Sequence, residues 1–457
     1  MNRFLLPAFL LSAALGAARA EGGDSTQSQA PSENEEVTKL SGKIDGLTED
    51  YLETKATVAG LAKLKVGGYV QAQWQHLDSI GGPVLAGGNM PINTDRRMMV
   101  RRARLKTTYD AGTSKYVLEI EPLPSGVSLK DVEIIMMEPW LKTFSLDFGV
   151  MDRPFGFEIP YSSSLIETPE RSRFENNFFS GEKDLGFALG IDPGADMGLL
   201  QYLNFKGGFY TGQGGSTPSL DEIDREMDFI GRLGFKAPMP DIGLDIDGGV
   251  SAYLGQVEDA SDTAFDLSSK AFSASAGHRL KTFDRQVMGV DGELYYDIPV
   301  IGGTSLHFEY EWGQMPGTSG SAKPYAPVTA IGPTSPAATL GSPTLYMRNV
   351  AGWYITWVQN LGSMFQGVLR YDMFDPNTDV EGKDIGVAAN KGLGVADIAI
   401  NTLGYGLIYH WSGNLKFTAY YDMVMNEKVN DAATGGLIPW KKDLNDNLFT
   451  FRAQVKF

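Results

Sequence analysis

The sequence predicts an all-β protein that folds as a 16-stranded antiparallel transmembrane β-barrel. Polar and apolar side chains alternate in short segments from residue 66 to residue 457, and the connections between segments are alternately short and mostly long. No segment approaches the ~18 uninterrupted apolar residues of a membrane-spanning helix. A strand with lipid on one face and lumen water on the other shows this alternation. A soluble β-sandwich also alternates, but it does not sort its loops by length so regularly.

The N-terminus has the pattern of a signal peptide over residues 1–20. Arg3 precedes an apolar stretch at 4–15, and Ala18-Arg19-Ala20 fits the small-x-small cleavage rule. A short membrane anchor is the alternative interpretation. Residues 21–35 are small, polar and acidic, which predicts a disordered linker. We therefore expect an exported chain that is cleaved before Glu21.

Composition excludes several classes of protein. The chain has no cysteine, so disulfides and thiolate chemistry are absent. Its net charge is −17, and removal of the two signal-peptide arginines makes it −19. An acidic chain of this kind argues against nucleic acid as a partner. The 54 glycines and 11% aromatic residues favour short strands and turns.

A coiled-coil helix is predicted over residues 36–63, on the periplasmic side of the barrel. Residues at alternating spacings of three and four form a heptad seam. The seam consists of Val37, Leu40, Ile44, Leu47, Tyr51, Thr54, Val58 and Leu61. A lone amphipathic helix is the alternative, because three glycines weaken the helix. So short a seam needs partner chains to be stable, which favours an oligomer.

The barrel domain is predicted over residues 64–457. In its first segment Val66, Val70 and Trp74 lie on one face, whereas Gln71 and Gln73 lie on the other. The same alternation recurs in every later segment. The sixteen segments are 66–77, 96–109, 114–121, 129–138, 143–150, 183–191, 200–212, 225–237, 245–255, 285–297, 304–314, 349–359, 364–375, 398–411, 414–425 and 446–457.

Loop lengths give the predicted barrel two different ends. Seven alternate connections are short. The longest of the others cover about 151–182, 256–284, 315–348 and 376–397. Tight turns at one end and long loops at the other are typical of transmembrane barrels.

Several stretches resemble the phosphate-selective porin O and P family. They are "RRARLKTTYD", "GVMDRPFGFE", "LIETPERSRFENNFFSGEKDLGFALG", "RYDMFDPNTD" and "DNLFTFRAQVKF", within a similarity that runs from residue 66 to residue 457. The resemblance implies a homotrimeric diffusion channel in the bacterial outer membrane, in contact with its lipid. It also implies that the third extracellular loop, here 151–182, folds into the barrel and narrows it.

The loop at 151–182 is dense in charges of both signs, which suits a constriction that faces water. Its candidate pore-lining residues are Arg153, Glu158, Arg171, Arg173, Glu175 and Lys183. The apolar residues Phe155, Phe157, Ile159, Leu165, Phe178 and Phe179 are expected to anchor it to the wall. An ordinary solvated surface loop is the alternative.

A basic strand face at Arg102, Arg104 and Lys106 is predicted to oppose this loop and to favour anions. The resemblance implies that such residues line the pore. Inward-facing acids are equally numerous, however, so a weak anion preference is expected rather than a dedicated phosphate site. These acids are Glu119, Asp131, Glu133, Asp147, Asp184, Asp247, Asp291, Glu293, Glu309, Glu311 and Asp372.

The chain ends on Phe457, in a segment with aromatic residues on one face and polar residues on the other. Because lipid cannot satisfy free backbone groups, this last strand is expected to pair with the first and close the sheet. A terminal phenylalanine at that position resembles the assembly signal of outer-membrane proteins. The resemblance implies recognition by the barrel-assembly machinery.

The sequence carries no recognisable enzyme motif. No two of its four histidines lie at metal-ligand spacing, and phosphate-binding loops and zinc-protease signatures are absent. We therefore expect no catalytic residue, no metal and no cofactor, although a barrel enzyme could assemble its site from distant residues. The expected function is passive diffusion of small hydrophilic or anionic solutes. The alternative is a structural anchor that tethers the envelope through its coiled coil.

Overall fold

A computed structural model describes residues 33–85, 87–123, 126–179, 181–212, 226–259, 261–279, 281–325 and 344–457. The predicted signal peptide and most of the predicted linker lie outside these residues. The chain divides into two compact units, residues 1–61 and 62–457.

The first unit contains helix α1, Glu33–Leu61. The prediction placed this helix over 36–63, so it begins three residues earlier and ends two residues earlier than expected. Leu40, Ile44 and Leu47 of the heptad seam are all more than half exposed. Across the described parts of the chain, no helix is both long enough and apolar enough to cross a membrane.

The described residues of the second unit form eighteen strands and the short helix α2, Arg173–Phe178. The strands are β1 Leu64–Leu77, β2 Arg96–Asp110, β3 Ser114–Leu123, β4 Gly126–Met137, β5 Phe144–Asp152, β6 Lys183–Ile191, β7 Leu203–Tyr210, β8 Asp228–Met239, β9 Leu244–Glu258, β10 Thr263–Ser268, β11 Ala271–Ala276, β12 Thr282–Ile298, β13 Gly302–Gly317, β14 Leu345–Leu361, β15 Phe365–Asp375, β16 Ile400–His410, β17 Leu415–Asn426 and β18 Leu448–Lys456. Each of the sixteen predicted segments corresponds to one strand, with bounds that differ by at most four residues.

Sixteen of these strands form a closed antiparallel barrel, which confirms the predicted fold. Each strand pairs with its neighbours along the chain, and β1 pairs with both β2 and β18. The remaining two, β10 and β11, form a hairpin inside the long connection between β9 and β12. This hairpin contacts the wall through a short parallel pairing of β10 with β14. The sequence predicted these residues to lie in the long connection at 256–284.

The barrel closes where β1 meets β18, in a register that runs from Tyr69 opposite Lys456 to Leu77 opposite Leu448. Beyond β18, the amide of Phe457 donates to the carbonyl oxygen of Gly68 at 3.0 Å, and the Gly68 amide donates to the Phe457 carbonyl oxygen at 2.9 Å. The terminal residue therefore extends the closing ladder by one further pair.

The two ends of the barrel differ in the length of their connections, as predicted. The turn end carries the seven connections 111–113, 138–143, 192–202, 240–243, 299–301, 362–364 and 411–414. The loop end carries 78–95, 124–125, 153–182, 211–227, 259–281, 318–344, 376–399 and 427–447. Only the two-residue connection between β3 and β4 is short at the loop end, within the strands that the structure describes.

The polarity of the barrel is inverted relative to a soluble protein. Gln71 and Gln75 of β1 are 1% and 0% exposed, whereas Val66 and Trp74 of the same strand are 60% and 38% exposed. The apolar face therefore points outward and the polar face lines the interior. This arrangement is that of a transmembrane barrel, in which lipid surrounds the outer face.

Candidate functional site

Residues 153–182, here called the lumen loop, run through the interior of the barrel. Near its start, the Gly156 amide donates to the Ser251 hydroxyl of β9 at 2.9 Å. Further along, the carbonyl oxygen of Ser164 accepts from the Gln454 side chain of β18 at 2.8 Å. Because β9 and β18 lie on opposite sides of the sixteen-stranded ring, the loop crosses the lumen.

A carboxylate of the wall fixes the turn by which the loop enters the lumen. Gly156 has a φ of +60°, a conformation that glycine adopts without steric cost. Glu309 of β13 lies directly against it and accepts from the backbone amides of Phe157 and Glu158 at 3.1 and 3.2 Å. A side chain at Gly156 would overlap the Glu309 carboxylate. The turn therefore requires both a glycine and a carboxylate.

Aromatic residues of the loop pack into one side of the wall. The loop contributes Phe155, Ile159, Phe174, Phe178 and Phe179 to a buried cluster with Met151, Ala188, Tyr210, Ile230, Tyr253, Val287, Met315, Val350 and Phe374. Part of the anchor is helix α2, whose first turn is capped by the Ser172 hydroxyl. Of the six anchor residues expected from the sequence, four belong to this cluster. Leu165 is exposed, and Phe157 packs instead against Tyr161 and His307.

On the opposite side, the Glu170 carboxylate binds three arginines of the wall. Its oxygens lie 2.8 Å from Arg101 Nε, 2.7 Å from Arg102 Nη2 and 3.3 Å from Arg452 Nη2. Burial raises the pKa of Glu170, but the three guanidinium groups lower it by more than burial raises it. The net pKa is below the ordinary range of a glutamate. The carboxylate therefore stays ionised and joins the loop to β2 and β18.

Arg101 reaches Glu170 because β2 carries a β-bulge at this point. Gln71 pairs with Arg102 and the next residue, Ala72, pairs with Val100, so Arg101 is left without a partner in the register. A bulge re-aims a side chain that strict alternation would send to the opposite face. Two consecutive arginines can thus contact the same carboxylate. The alternation in the sequence predicted only Arg102 as inward-facing.

Two further carboxylates of the loop pair with arginines. Glu182 binds Arg171 within the loop and lies 3.5 Å from Arg104 of β2. Burial raises the pKa of Glu182, but Arg171 and then Arg104 lower it well below the ordinary value. Glu158 is paired with Arg370 of β15. These ion pairs of Glu158, Glu170 and Glu182, here called the clamps, attach the loop to β15, β18 and β2.

The structure places all nine predicted pore-lining residues on the lumen loop or on strands beside it. Arg102 pairs with the loop carboxylate Glu170, and Arg104 lies 3.4–3.5 Å from Glu119, Glu121 and Glu182. Lys106 is therefore the exposed base of this face. The other contacts are those of Arg153 with Asp184 at 3.4 Å, Arg173 with the Thr402 hydroxyl at 2.6 Å, and Lys183 with Asp131 and Asp152 at 2.5 and 2.7 Å. Glu158 and Arg171 belong to the clamps, and Glu175 lies close to Glu309 and Glu311.

Two lysines of the wall are exposed to the lumen, whereas the carboxylates that they pair with are buried. Lys106 is 45% exposed, whereas Asp131, 2.9 Å away, is 3% exposed. Lys206 is 38% exposed, and Asp147, 2.6 Å away, is 4% exposed. A solute in the lumen therefore meets the ammonium groups before it meets the carboxylates.

Cavities lie at both ends of the barrel interior. The loop-end cavity has a volume of about 1310 Å³, and its charged lining consists of Arg101, Arg173, Lys323, Glu121 and Asp446. The turn-end cavity has a volume of about 450 Å³, and its charged lining consists of Arg153, Lys206, Arg232, Lys236, Asp152, Asp247 and Glu293. In each cavity the basic residues outnumber the acidic ones by one.

No family model matches this chain, and no curated protein matches it. Solved structures do match. The anion-selective porin from Comamonas acidovorans is 11% identical, with 86% of this chain and 99% of the porin covered and a TM-score of 0.49. The outer-membrane channel DcaP of Acinetobacter baumannii is 11% identical, with 86% and 97% covered and a TM-score of 0.46. OmpT of Vibrio cholerae is 9% identical, with 86% and 97% covered and a TM-score of 0.46.

At this level of similarity, the function has to be argued from the residues of the chain itself. The resemblance to phosphate-selective porins stays a prediction, because no family model supports it. The geometry on which the argument rests is the closed barrel, its charged interior and the loop that crosses it.

Proposed function

We propose that the protein is a passive diffusion channel of the bacterial outer membrane for small hydrophilic solutes. The observation that carries the proposal is a closed barrel whose polar face points inward and whose lumen contains a charged, clamped loop. In such a channel, pore width and fixed charges select the solutes. The lumen loop forms the narrowest part, between the loop-end and turn-end cavities.

A weak preference for anions follows from the exposure of the charges. Lys106 and Lys206 present their ammonium groups to the lumen, and their carboxylate partners lie behind them. The distant acidic surface contributes little, since its charges are screened beyond about 8 Å at physiological salt. Because most bases in the lumen remain paired, a general preference for anions is favoured over a dedicated phosphate site.

Reversing the charge of these two lysines tests the selectivity. We expect Lys106→Glu combined with Lys206→Glu to change the channel from weakly anion-selective to cation-selective, because exposed carboxylates then replace exposed ammonium groups. The measurement is the reversal potential in a KCl gradient. Lys383→Glu, on an exposed loop, is the control and should leave the reversal potential unchanged. An unchanged potential in the double variant would place the selective charges elsewhere.

A structural anchor is the second candidate function. It is favoured by the packing of the lumen loop, because the buried aromatic cluster and three carboxylate clamps occupy much of the interior. Conductance of the purified full-length protein in planar bilayers separates the two functions. Steps of current that scale with salt concentration support the channel. A silent bilayer that contains inserted protein supports the anchor.

We further propose that the protein assembles as a homotrimer through α1. The apolar seam of this helix is exposed, and a coiled coil of three helices would bury it. Deletion of residues 21–62 is expected to shift the protein from trimer towards monomer in detergent, as measured by native mass. The barrel is a separate compact unit, so it should remain folded in the deletion variant. A full-length protein that is only monomeric would contradict the proposal.

A further inference from the structure

Three carboxylates meet inside the barrel where the lumen loop touches the wall. Glu175 belongs to helix α2, whereas Glu309 and Glu311 lie two residues apart on β13 and therefore face the same side. One oxygen from each side chain lies within 4.8 Å of the others. All three residues are at least 98% buried.

No hydrogen-bond donor reaches four oxygens of this cluster, which face other carboxylates. Both carboxylate oxygens of Glu175 and both of Glu311 are buried and accept no hydrogen bond. Glu309 differs, because its oxygens accept from two backbone amides and from the Tyr354 hydroxyl at 2.9 Å. Within the part of the chain that the structure describes, no lysine, arginine or histidine nitrogen lies within 4.0 Å of these three carboxylates.

The cluster therefore contrasts with the other carboxylates of the lumen loop. Glu158, Glu170 and Glu182 each pair with at least one arginine, so their charge is compensated. Burial, and then the neighbouring Glu309, raise the pKa of Glu175 well above its ordinary value, although Arg171 acts in the opposite direction. Such a group of carboxylates requires either shared protons or a bound cation.

We propose that Glu175, Glu309 and Glu311 bind a Ca²⁺ ion that fastens helix α2 to the barrel wall. The donor set consists of oxygen atoms alone, which hard cations prefer. Ca²⁺ accepts six to eight oxygens at about 2.3–2.6 Å in flexible geometry, and carboxylates can bind it through both oxygens. Mg²⁺ demands near-ideal octahedral geometry and retains several waters, so it suits a dry, buried cluster less well.

The bound ion would have a mechanical role. Glu309 also holds the turn at Gly156 by which the loop enters the lumen. An ion shared by Glu309 and Glu175 would therefore connect the entry turn, the wall and α2 at one point. Removal of the ion should increase the mobility of α2, whereas the ion pairs of Glu170 on the opposite side of the barrel should remain formed.

The test is a calorimetric titration of the full-length protein in detergent with CaCl₂, after treatment with EDTA and its removal. We expect one Ca²⁺ per chain, at least ten-fold tighter than Mg²⁺. Glu311→Gln should weaken binding at least ten-fold. Glu381→Gln, an exposed loop residue, should leave it unchanged. Hydrogen exchange of residues 173–179 should increase when EDTA is added to the wild-type protein.

Absence of Ca²⁺ binding by the wild-type protein would overturn the proposal and indicate that the cluster shares protons instead. Unchanged affinity in Glu311→Gln would also overturn it. If that variant does not fold, Glu175→Gln removes a ligand from the loop rather than from the wall. Binding is measured without any current, so this site and the channel function can fail independently.

Discussion

Replacement of Glu170 by glutamine is expected to release the lumen loop from β2 and β18. The variant leaves the buried guanidinium groups of Arg101, Arg102 and Arg452 without their shared carboxylate. Removal of one partner from a buried ion pair typically costs about 3–5 kcal/mol. We therefore expect a lower free energy of unfolding, a higher single-channel conductance and a stronger anion preference.

The effect of this substitution is measured by urea denaturation in detergent, by conductance steps in planar bilayers and by the reversal potential in a KCl gradient. Glu381→Gln is the control, because Glu381 and Lys383 form an exposed pair and such pairs contribute only about 0–1 kcal/mol. A Glu170→Gln protein with wild-type values in all three measurements would mean that the clamp does not hold the loop.

Replacement of Gly68 by valine is expected to prevent closure of the barrel at the β1–β18 seam. A Cβ atom at Gly68 would collide with the backbone carbonyl oxygen of Arg104 on β2 and lie 2.9 Å from the ring of Phe457. Strand β1 would have to move away from both of its neighbours. Because lipid cannot satisfy the backbone groups that this exposes, we expect most of the protein to remain unassembled.

The assembled fraction can be measured from membranes by heat-modifiable migration in SDS gels. Gly367→Val is the matched control, because Gly367 also lies in a barrel strand but has open space where its Cβ would be. It should assemble like the wild type. Equal assembly of the two variants would show that the seam tolerates a side chain at position 68. Phe457→Ala then separates the contribution of the terminal ring from that of the backbone pair.

The sequence predicted the wall of the barrel accurately because each strand obeys the same local rule. Gln71, Gln73 and Gln75 could be assigned to the interior from the alternation alone, and the partners of β1 followed from the need to close the sheet. The path of the lumen loop was implied by the family resemblance, and its charge and apolar content were compatible with that path. Its place inside the barrel agrees with the resemblance noted from the sequence.

The contacts of the site could not be predicted, because they join residues far apart in the chain. Arg101 was missed because a bulge in β2 breaks the alternation on which the prediction depended. The pairing of Glu170 with Arg452 depends on the path of the loop through the lumen, which no local pattern encodes. The Glu175 cluster has no local signal, because Glu175 lies more than 130 residues from Glu309 and Glu311 in the chain.

The hairpin of β10 and β11 was missed for a different reason. Its strands, Thr263–Ser268 and Ala271–Ala276, are only six residues each and contain mostly small or polar side chains. The hairpin is supported by Phe272, which packs against Tyr346 of β14 and shares a buried cluster with Leu393 of the long loop 376–399. A tertiary contact therefore stabilises a structure that the local sequence favours only weakly.

Closure of the sheet also affects how long the folded protein survives. The described barrel strands leave no free edge from which fraying could begin, so unfolding has to break an entire ladder at once. The ladders β2–β3, β4–β5 and β6–β7 have six residue pairs each, whereas β9–β12 has fifteen. Rupture is expected to start at one of the three short ladders. The height of that barrier, rather than the equilibrium between folded and unfolded chains, then sets the lifetime of a protein that has no disulfide to hold it.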